Sequence, residues 1–582
     1  MNDRKSGSTI GHGGRRQGGK LYDSTSQDST GQGRIGQGRV SKPYRPAQRA
    51  AAGIAVAALL AAAGCSGGSP ASGGSPAAGE SKEPAKLTGL TYWTGMATQV
   101  AATMKSYNEI GMYKELEKKT GVKVDFQHPP QGQEKDQFNL MITGGKLPDV
   151  IEHYFINDYP GGPEKAIKDG KILKLNEYID KFAPNLKKVL EANPEMKKQI
   201  TTDEGSIYGF PFLRGDKSLL VYQGLAVRKD WLDKLGLQVP TTVDELYTVL
   251  KAFKERDPNG NGKADEIPYL MRAFTPATGE LNSSAAILGA YGVSYGFQQE
   301  NGTVKYGPVE PGYKEYLALM NKWYKEGLLD KDFAATDNKL LDAKITGNQL
   351  GVTVMNMGGG IGKYMNLMKG KDPNFKLSAI PYPVLNKGDK PLWGQSDFIF
   401  NGKTASISSS NKNVEETVKW LDYGYSNEGH MLMNFGLEGV SYKMENGYPK
   451  YTDLVLKNPN GLPVQQAMAQ YARSSWDGMF VQDKRYLEQY AELPEQKEAL
   501  KVWAEPTNER RMPLVTPNRE ESGKYASIMS DINTYRDEMY SKFVMGVEPL
   551  ENFDKYVQTL KGMGLQEAIK IQQAALERYN KR

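Results

Sequence analysis

An α/β fold in two or three structural units, with helices covering sheets, is predicted by three observations. The chain has 582 residues, far more than one hydrophobic core serves at roughly 100–200 residues per domain. Aromatic residues make up 10%, supplying the large buried surfaces that a disordered chain lacks. From about Leu87 onward, strand-like and helix-like segments alternate, the pattern of sheets with helices packed on them.

The elements follow in chain order. Met1 to about Ser41 is rich in Gly, Gln, Ser and Arg and reads as structureless. Ala52–Gly64 is an apolar run too short to span a bilayer as a mature helix but suited to a signal-peptide core, with Arg45 and Arg49 as its positive flank. A start at Val40 would turn residues 40–64 into a conventional leader. Ala62, Ala63 and Gly64 then meet Cys65, the only cysteine; this resembles the bacterial lipobox, which implies diacylation of the Cys65 thiol and anchoring to the membrane. The lipobox usually has Leu where Ala62 stands, and the alternative is a small buried cysteine after an ordinary secretory signal. One cysteine excludes an intrachain disulfide and a Cys-rich zinc site. Residues 65–86, Ser/Gly/Pro-rich, read as a flexible tether.

The formal charge is +6. Residues 1–64 carry a surplus of seven cations, so the remainder is close to neutral at −1. The basic signal belongs to the leader, and nothing points to nucleic acid.

In the body, Leu90–Trp93 and Val122–Phe126 read as short strands around a helix from Met112 to Lys119, and a further strand at Val150-Ile151 follows the turn Gly145–Asp149. Thr242 and Glu245 form a capping box, after which Leu246, Val249, Leu250 and Phe253 share one helical face. Directly after it comes Asp257-Pro-Asn259-Gly-Asn261-Gly262-Lys263-Ala-Asp265-Glu266. Side-chain oxygens at positions 1, 3, 5 and 9, with Gly at 6 and a backbone carbonyl from Lys263 at 7, match the first part of a loop for a structural calcium ion. Position 12 is Pro268, so Glu266 is the available substitute for the usual bidentate Glu. The alternative is an Asp/Asn/Gly turn without an ion.

Several blocks together are similar to extracellular solute-binding proteins of family 1, the lipoproteins that feed oligosaccharides to ABC importers. The most specific runs from Leu225-Ala-Val-Arg228-Lys229-Asp230-Trp231 through Pro240 to the calcium-like loop and Ile267-Pro268-Tyr269. Others are Gly145–Val150, Gly170–Asn176, Gly205–Pro211 and Trp420–Gly429. The resemblance covers about residues 87–582, and the loop is most like that of the alginate-oligosaccharide-binding branch. It implies a type II periplasmic-binding-protein fold, two α/β lobes with a hinged ligand cleft. By analogy with maltose-binding protein, crossings are expected near Arg214–Leu220, Gly351–Met357 and Asp397–Asn401. Lobe 1 is then 87–215 with 357–398, and lobe 2 is 216–356 with 399–582.

Sugar recognition needs flat apolar surface for pyranose C–H faces and planar polar groups for hydroxyls. Trp231, Trp323 and Trp420 sit at helical core spacing. Trp93, Trp393 and Trp476 lie in Gly- and polar-flanked loops or strand ends, as candidate stacking platforms or lids over the core. Arg214, at the first crossing, offers a planar fork for a uronate carboxylate or a hinge salt bridge, and Asp397 stands beside the third crossing. The glycines of Met357–Gly362 suit a ligand loop or hinge, without the spacing of a dinucleotide fingerprint. His128, His153 and His430 are isolated. No Gly-x-Ser-x-Gly, His-Glu-x-x-His or Walker loop is present, so no catalytic residue is expected. The function expected is an oligosaccharide-binding, non-enzymatic monomer that is lipid-anchored at the extracytoplasmic face of the cell membrane and docks on the transmembrane subunits of an ABC permease. The competing classes are a surface ligand sensor and a polysaccharide-degrading enzyme.

Overall fold

The computed structural model describes residues 87–271, 285–474 and 477–582. These belong to the second of two compact units, Ser81–Arg582; the leader, Cys65, the tether and Trp476 lie outside the described residues. Fourteen strands are present among them. They are β1 (Gly89–Thr94), β2 (Lys123–Gln127), β3 (Val150–His153), β4 (Phe210–Arg214), β5 (Gln223–Arg228), β6 (Ile267–Tyr269), β7 (Phe297–Glu300), β8 (Thr303–Tyr306), β9 (Leu350–Asn356), β10 (Leu377–Ala379), β11 (Phe400–Ile407), β12 (Tyr442–Glu445), β13 (Tyr448–Tyr451) and β14 (Val481–Gln482).

Two main sheets carry two cores. The first has the order β14-β4-β11-β3-β1-β2; β1 pairs in parallel with β2 and β3, and β11 runs antiparallel between β3 and β4. Its central strand β3 is buried at every position, whereas the edge strand β2 alternates exposed Lys123, Asp125 and Gln127 with buried Val124 and Phe126, so the sheet is covered on both faces at its centre and on one at its edge. The second is β10-β5-β9-β6, with β5 antiparallel to both neighbours and β6 parallel to β9. β7/β8 and β12/β13 are separate hairpins.

The helix Val243–Glu255 starts at the expected capping box: the Thr242 hydroxyl accepts from the Glu245 amide and the Glu245 carboxylate accepts from the Thr242 amide. Its Leu246, Val249, Leu250 and Phe253 are buried in the second core. Arg228 explains the Arg-Lys-Asp-Trp block. Its guanidinium is held by the Asp230 carboxylate at 2.9 and 2.6 Å and is sandwiched between the rings of Trp231 and Phe375, so the motif ties strand β5 to the helix that follows it.

The cores show where the chain changes lobe. Residues 87–213, 400–433 and 469–480 contribute to the first core, and 219–382, 435–468 and 486–568 to the second. Crossings therefore occur between Leu213 and Leu219 and between Tyr382 and Phe400, with further passages after Met433, Met468 and Phe480. Two sequence expectations are corrected. Gly351–Met357 is no crossing, because it lies in β9, hydrogen-bonded to β5 and β6 inside the second sheet. Residues 357–398 belong with the second lobe, since β10 pairs with β5 and Met357, Ile361, Tyr364 and Tyr382 fill the second core. Conversely, β11 and β14, at 400–407 and 481–482, complete the first sheet.

Candidate functional site

A cleft of ≈310 Å³ opens where the two lobes meet. The first lobe contributes Phe212, Arg214 and Asp477, and the second contributes Tyr222, Asn356, Gln465, Tyr486 and Tyr490 with the backbone of Gly358 and Gly359. Aromatic faces thus alternate with amides and one ionic group of each sign, the surface types that match C–H faces and hydroxyls.

Each wall is fixed by its own element. Met357–Gly362 forms a π-helical turn directly after β9, and its glycines are required by contact: a Cβ on Gly358 would lie 1.8 Å from the Tyr490 hydroxyl, and one on Gly360 would lie 2.6 Å from the Met355 Cβ. Gly359 meets nothing and is exposed toward the cleft. Burial raises Tyr486 to about 12 against the opposing Arg214 charge, so Tyr486 is a neutral phenol at ordinary pH.

Arg214 leaves the end of β4 and is anchored twice: one guanidinium nitrogen bonds the Asp397 carboxylate and the other donates to the Gln482 side-chain carbonyl at 3.0 Å. Asp397 is held in turn by its own amide on the Leu220 carbonyl at 2.7 Å and by the Gln395 amide at 3.1 Å. Of the two roles open to Arg214, the hinge ion pair is the one formed. The pair sits across the first and third crossings. Arg511 lies close by; it covers the Phe398 ring and donates to the Ser396 carbonyl, and burial, only partly offset by Asp397, lowers it to about 10.

Asp477 accepts from Asn401 at 2.7 Å, Lys403 at 3.1 Å and Tyr154 at 3.2 Å. Lys403 also reaches Glu152 at 3.4 Å, and Arg473 clasps Glu152 with two bonds of 2.8 and 3.1 Å. Tyr92 donates to the same carboxylate at 2.7 Å. Burial alone would raise Glu152, but Arg473 and Lys403 prevail and hold it down at about 2. Two cations and two anions, joined in one chain of bonds, thus stand behind the cleft wall.

Trp93 is in neither wall. It is buried in β1 beneath Phe138 and His153, because the strand turns that position into the first core. Trp393 packs on Gly289, where a Cβ would come within 2.8 Å of it, and its indole nitrogen is buried without a hydrogen-bond partner; it is half-buried beside the third crossing. Trp231, Trp323 and Trp420 are buried in the cores. The structure brings Arg214 and Asp397 together and leaves Trp93 and Trp393 outside the cleft lining. The tyrosines 222, 486 and 490 were missed; Tyr486 and Tyr490 lie in the short helix Lys484–Tyr490 at a spacing of four, which suits core packing equally well. Among the histidines, the His128 ring accepts from the Tyr107 amide at 3.1 Å and bonds the Thr94 carbonyl at 2.9 Å, and burial lowers it; it is a satisfied structural group.

The loop 257–266 folds around its own carboxylates. Asp257 accepts from the amides of Gly260, Asn261 and Gly262 at 2.9–3.1 Å, and Asp265 from the side chains of Asn259 and Asn261 at 3.1 and 3.0 Å. The Asn261 side-chain oxygen accepts from the Lys263 amide. One Glu266 carboxylate oxygen is buried without a partner, and burial together with Asp257 and Asp265 raises its pKa. An orphaned buried carboxylate oxygen beside two further carboxylates suits a hard cation. Among the described residues, no group of three His, Cys, Asp or Glu gathers as a metal set. No helix among them is long and apolar enough to cross a membrane.

Comparison with known proteins agrees with this architecture. A fructooligosaccharide ABC transporter substrate-binding protein, FusA of Streptococcus pneumoniae, is 29% identical over 494 residues, 82% of this chain and 88% of FusA. A polygalacturonan/rhamnogalacturonan-binding protein of Bacillus subtilis, YtcQ, is 27% identical over 56% of this chain and 63% of its own. Among solved structures, the alginate-binding protein AlgQ2 without calcium ion superposes with a TM-score of 0.68 at 28% identity, covering 85% of this chain and all of AlgQ2. FusA in complex with kestose gives 0.67 at 26%, covering 84% and 99%; a further FusA structure is described as an EF-hand mutant. Residues 97–431 match the family described as bacterial extracellular solute-binding protein, and with the two-lobed fold and its cleft this establishes that the chain belongs to that family.

Proposed function

We propose that this chain is a non-catalytic receptor that captures an oligosaccharide between its lobes and delivers it to the membrane subunits of an ABC importer. The observation that carries the reading is the tyrosine- and amide-lined cleft at the lobe junction, in a family whose relatives include a kestose complex. Arg214 and Asp397, at the crossings, hold the first and third connections together, and Asp477 offers its carboxylate to sugar hydroxyls. Trp393 and Trp476, flanking the crossings in sequence, are candidates for stacking once the lobes close. Ligand moves the open and closed states only through tighter binding to the closed one.

Two further parts belong to the proposal. Lipid on Cys65, with residues 65–86 as tether, keeps the body at the extracytoplasmic face of the membrane, as a monomer. A calcium ion in the loop would take oxygens from Asp257, Asn259, Asn261, the Lys263 carbonyl, Asp265 and Glu266, and would neutralise carboxylates that otherwise face one another. Its role is structural.

The test is a thermal-shift screen of the full chain in detergent, with calcium added or chelated, against neutral, fructan, alginate and pectin-derived oligosaccharides. A rise in Tm with one class and no turnover of that sugar is expected. Consumption of a sugar would make the chain an enzyme, and silence across all four classes would end the oligosaccharide reading.

A further inference from the structure

A second chamber, of ≈250 Å³, lies between the lobes and shares no lining residue with the cleft. Its first-lobe wall comes from residues 156–208, on whose core Leu514 also packs, and its second-lobe wall from Arg519, at the start of the helix Arg519–Met545, with Arg578 of the helix Leu565–Asn580 and Arg582 just beyond it. We propose that it is a second solute pocket, taking one uncharged, hydroxyl-bearing sugar ring. The ligand class rests on the reading of the protein as a glycan receptor; the existence of the pocket does not.

Tyr208 carries the inference. It lines the chamber, is 2% exposed, and its hydroxyl is buried with no hydrogen-bond partner. A phenol that stays neutral at every physiological pH, as burial dictates here, can both donate to and accept from a ligand hydroxyl. Leaving such a group unmet is unfavourable, so a buried orphan beside a cavity marks a position that something polar fills.

The charges around the chamber say what that ligand is not. Arg578 donates to Asp203 at 2.9 Å and to Glu521 at 3.0 Å, and Arg582 donates to Asp203 at 2.8 and 2.5 Å. Lys168 is paired with Glu204 and Lys165 with Asp169. The Glu164 carboxylate accepts from the Thr202 hydroxyl at 2.7 Å. Arg519 lines the rim on the exposed first turn of its helix, in water. With these ions matched to one another and Arg519 left to water, a charged ligand must compete with an existing pair inside the chamber, whereas a neutral hydroxylic ligand displaces none. Ile156, Pro163 and Leu514 supply apolar surface for the C–H face of a ring. Because the two walls come from different lobes, a ring seated there would bridge them.

The experiment is saturation-transfer NMR on the full chain with glucose, galactose, mannose and fructose, each alone, for wild type, Tyr208→Phe, Leu514→Trp and Tyr490→Phe. Tyr208→Phe removes only the orphaned oxygen, and Leu514→Trp fills the chamber if the first variant proves uninformative. At least one monosaccharide signal is expected to persist in Tyr490→Phe, which alters the cleft, and to fall about 5- to 10-fold in apparent affinity in Tyr208→Phe, with Leu514→Trp abolishing it. Four silent sugars, or a signal lost with Tyr490→Phe and untouched by both chamber variants, would overturn the proposal. In either case a Tm rise with an oligosaccharide would leave the cleft reading standing.

Discussion

Two ion clusters in this molecule use the same side chains for opposite purposes. Glu152, Arg473, Lys403 and Asp477 join parts of a single lobe, and Glu152 and Arg473 are 1% and 0% exposed. Asp203, Arg578, Arg582 and Glu521 join one lobe to the other, and their side chains remain 7–26% exposed. Burial makes the first cluster costly to break, since each ion has lost its water and depends on its partners. The second keeps part of its hydration, so opening it costs little, which suits a contact that must part whenever the lobes separate.

The largest expected effect lies in the buried cluster. Glu152→Ala strands Arg473 and leaves Lys403 with Asp477 alone, and unfolding in urea should show a loss of about 3–5 kcal/mol; a loss below about 1 kcal/mol would mean that water reaches the site. The same carboxylate fixes a pH dependence. Its pKa is lowered on folding from 4.5 to about 2, so its contribution is complete above the unfolded value and disappears as pH falls from about 4.5 toward 2. Urea titrations across that window should show less acid sensitivity in Glu152→Gln than in the parent.

Next comes the hinge pair, Arg214 and Asp397, as exposed as the interlobe cluster at 15% and 23% but fixed further by Gln482 and Gln395. A double-mutant cycle of Arg214→Met and Asp397→Asn should return a coupling of about 1.5–3 kcal/mol, the range of charged hydrogen bonds, and the single variants should weaken oligosaccharide binding as well as stability. Smallest is Asp203→Asn, expected to cost about 1 kcal/mol or less and to become indistinguishable from the parent at high salt. Small-angle scattering should then show a shift toward separated lobes at low salt only; equal scattering at both salt concentrations would deny the cluster any part in lobe closure.

Where local chemistry decides structure, the sequence was readable. The capping box at Thr242 and Glu245, the helical core tryptophans and the Asp/Asn turns of residues 257–266 are each set by neighbours within a few positions. The second crossing was misplaced because a run such as Leu350–Asn356 looks alike whether it joins lobes or sits inside a sheet, and only its pairing with β5 and β6 decides. Trp93 was left between a stacking platform and a cover for the core because the end of a strand next to Thr and Gly is compatible with both; register with β2 and β3 turns the ring into the core. The cleft tyrosines are three of 33, with no local feature to single them out. Partners such as Glu152 and Arg473 stand 321 residues apart, a distance over which no motif speaks.

The repeated passage of the chain between cores has a consequence for the order of assembly. The first sheet is finished only when β11 has been inserted between β3 and β4 and β14 has joined the edge, so residues 87–214 cannot close their own sheet while the rest is still being made. Until β11 has been made, β3 and β4 each present an unpaired edge, and the outer edge of β4 stays open until Gln482 has followed. Native pairing is thus postponed by the chain's own connectivity, and the assembly it imposes is slow and long-range, so that the first lobe reaches its final sheet only together with strands made hundreds of residues later.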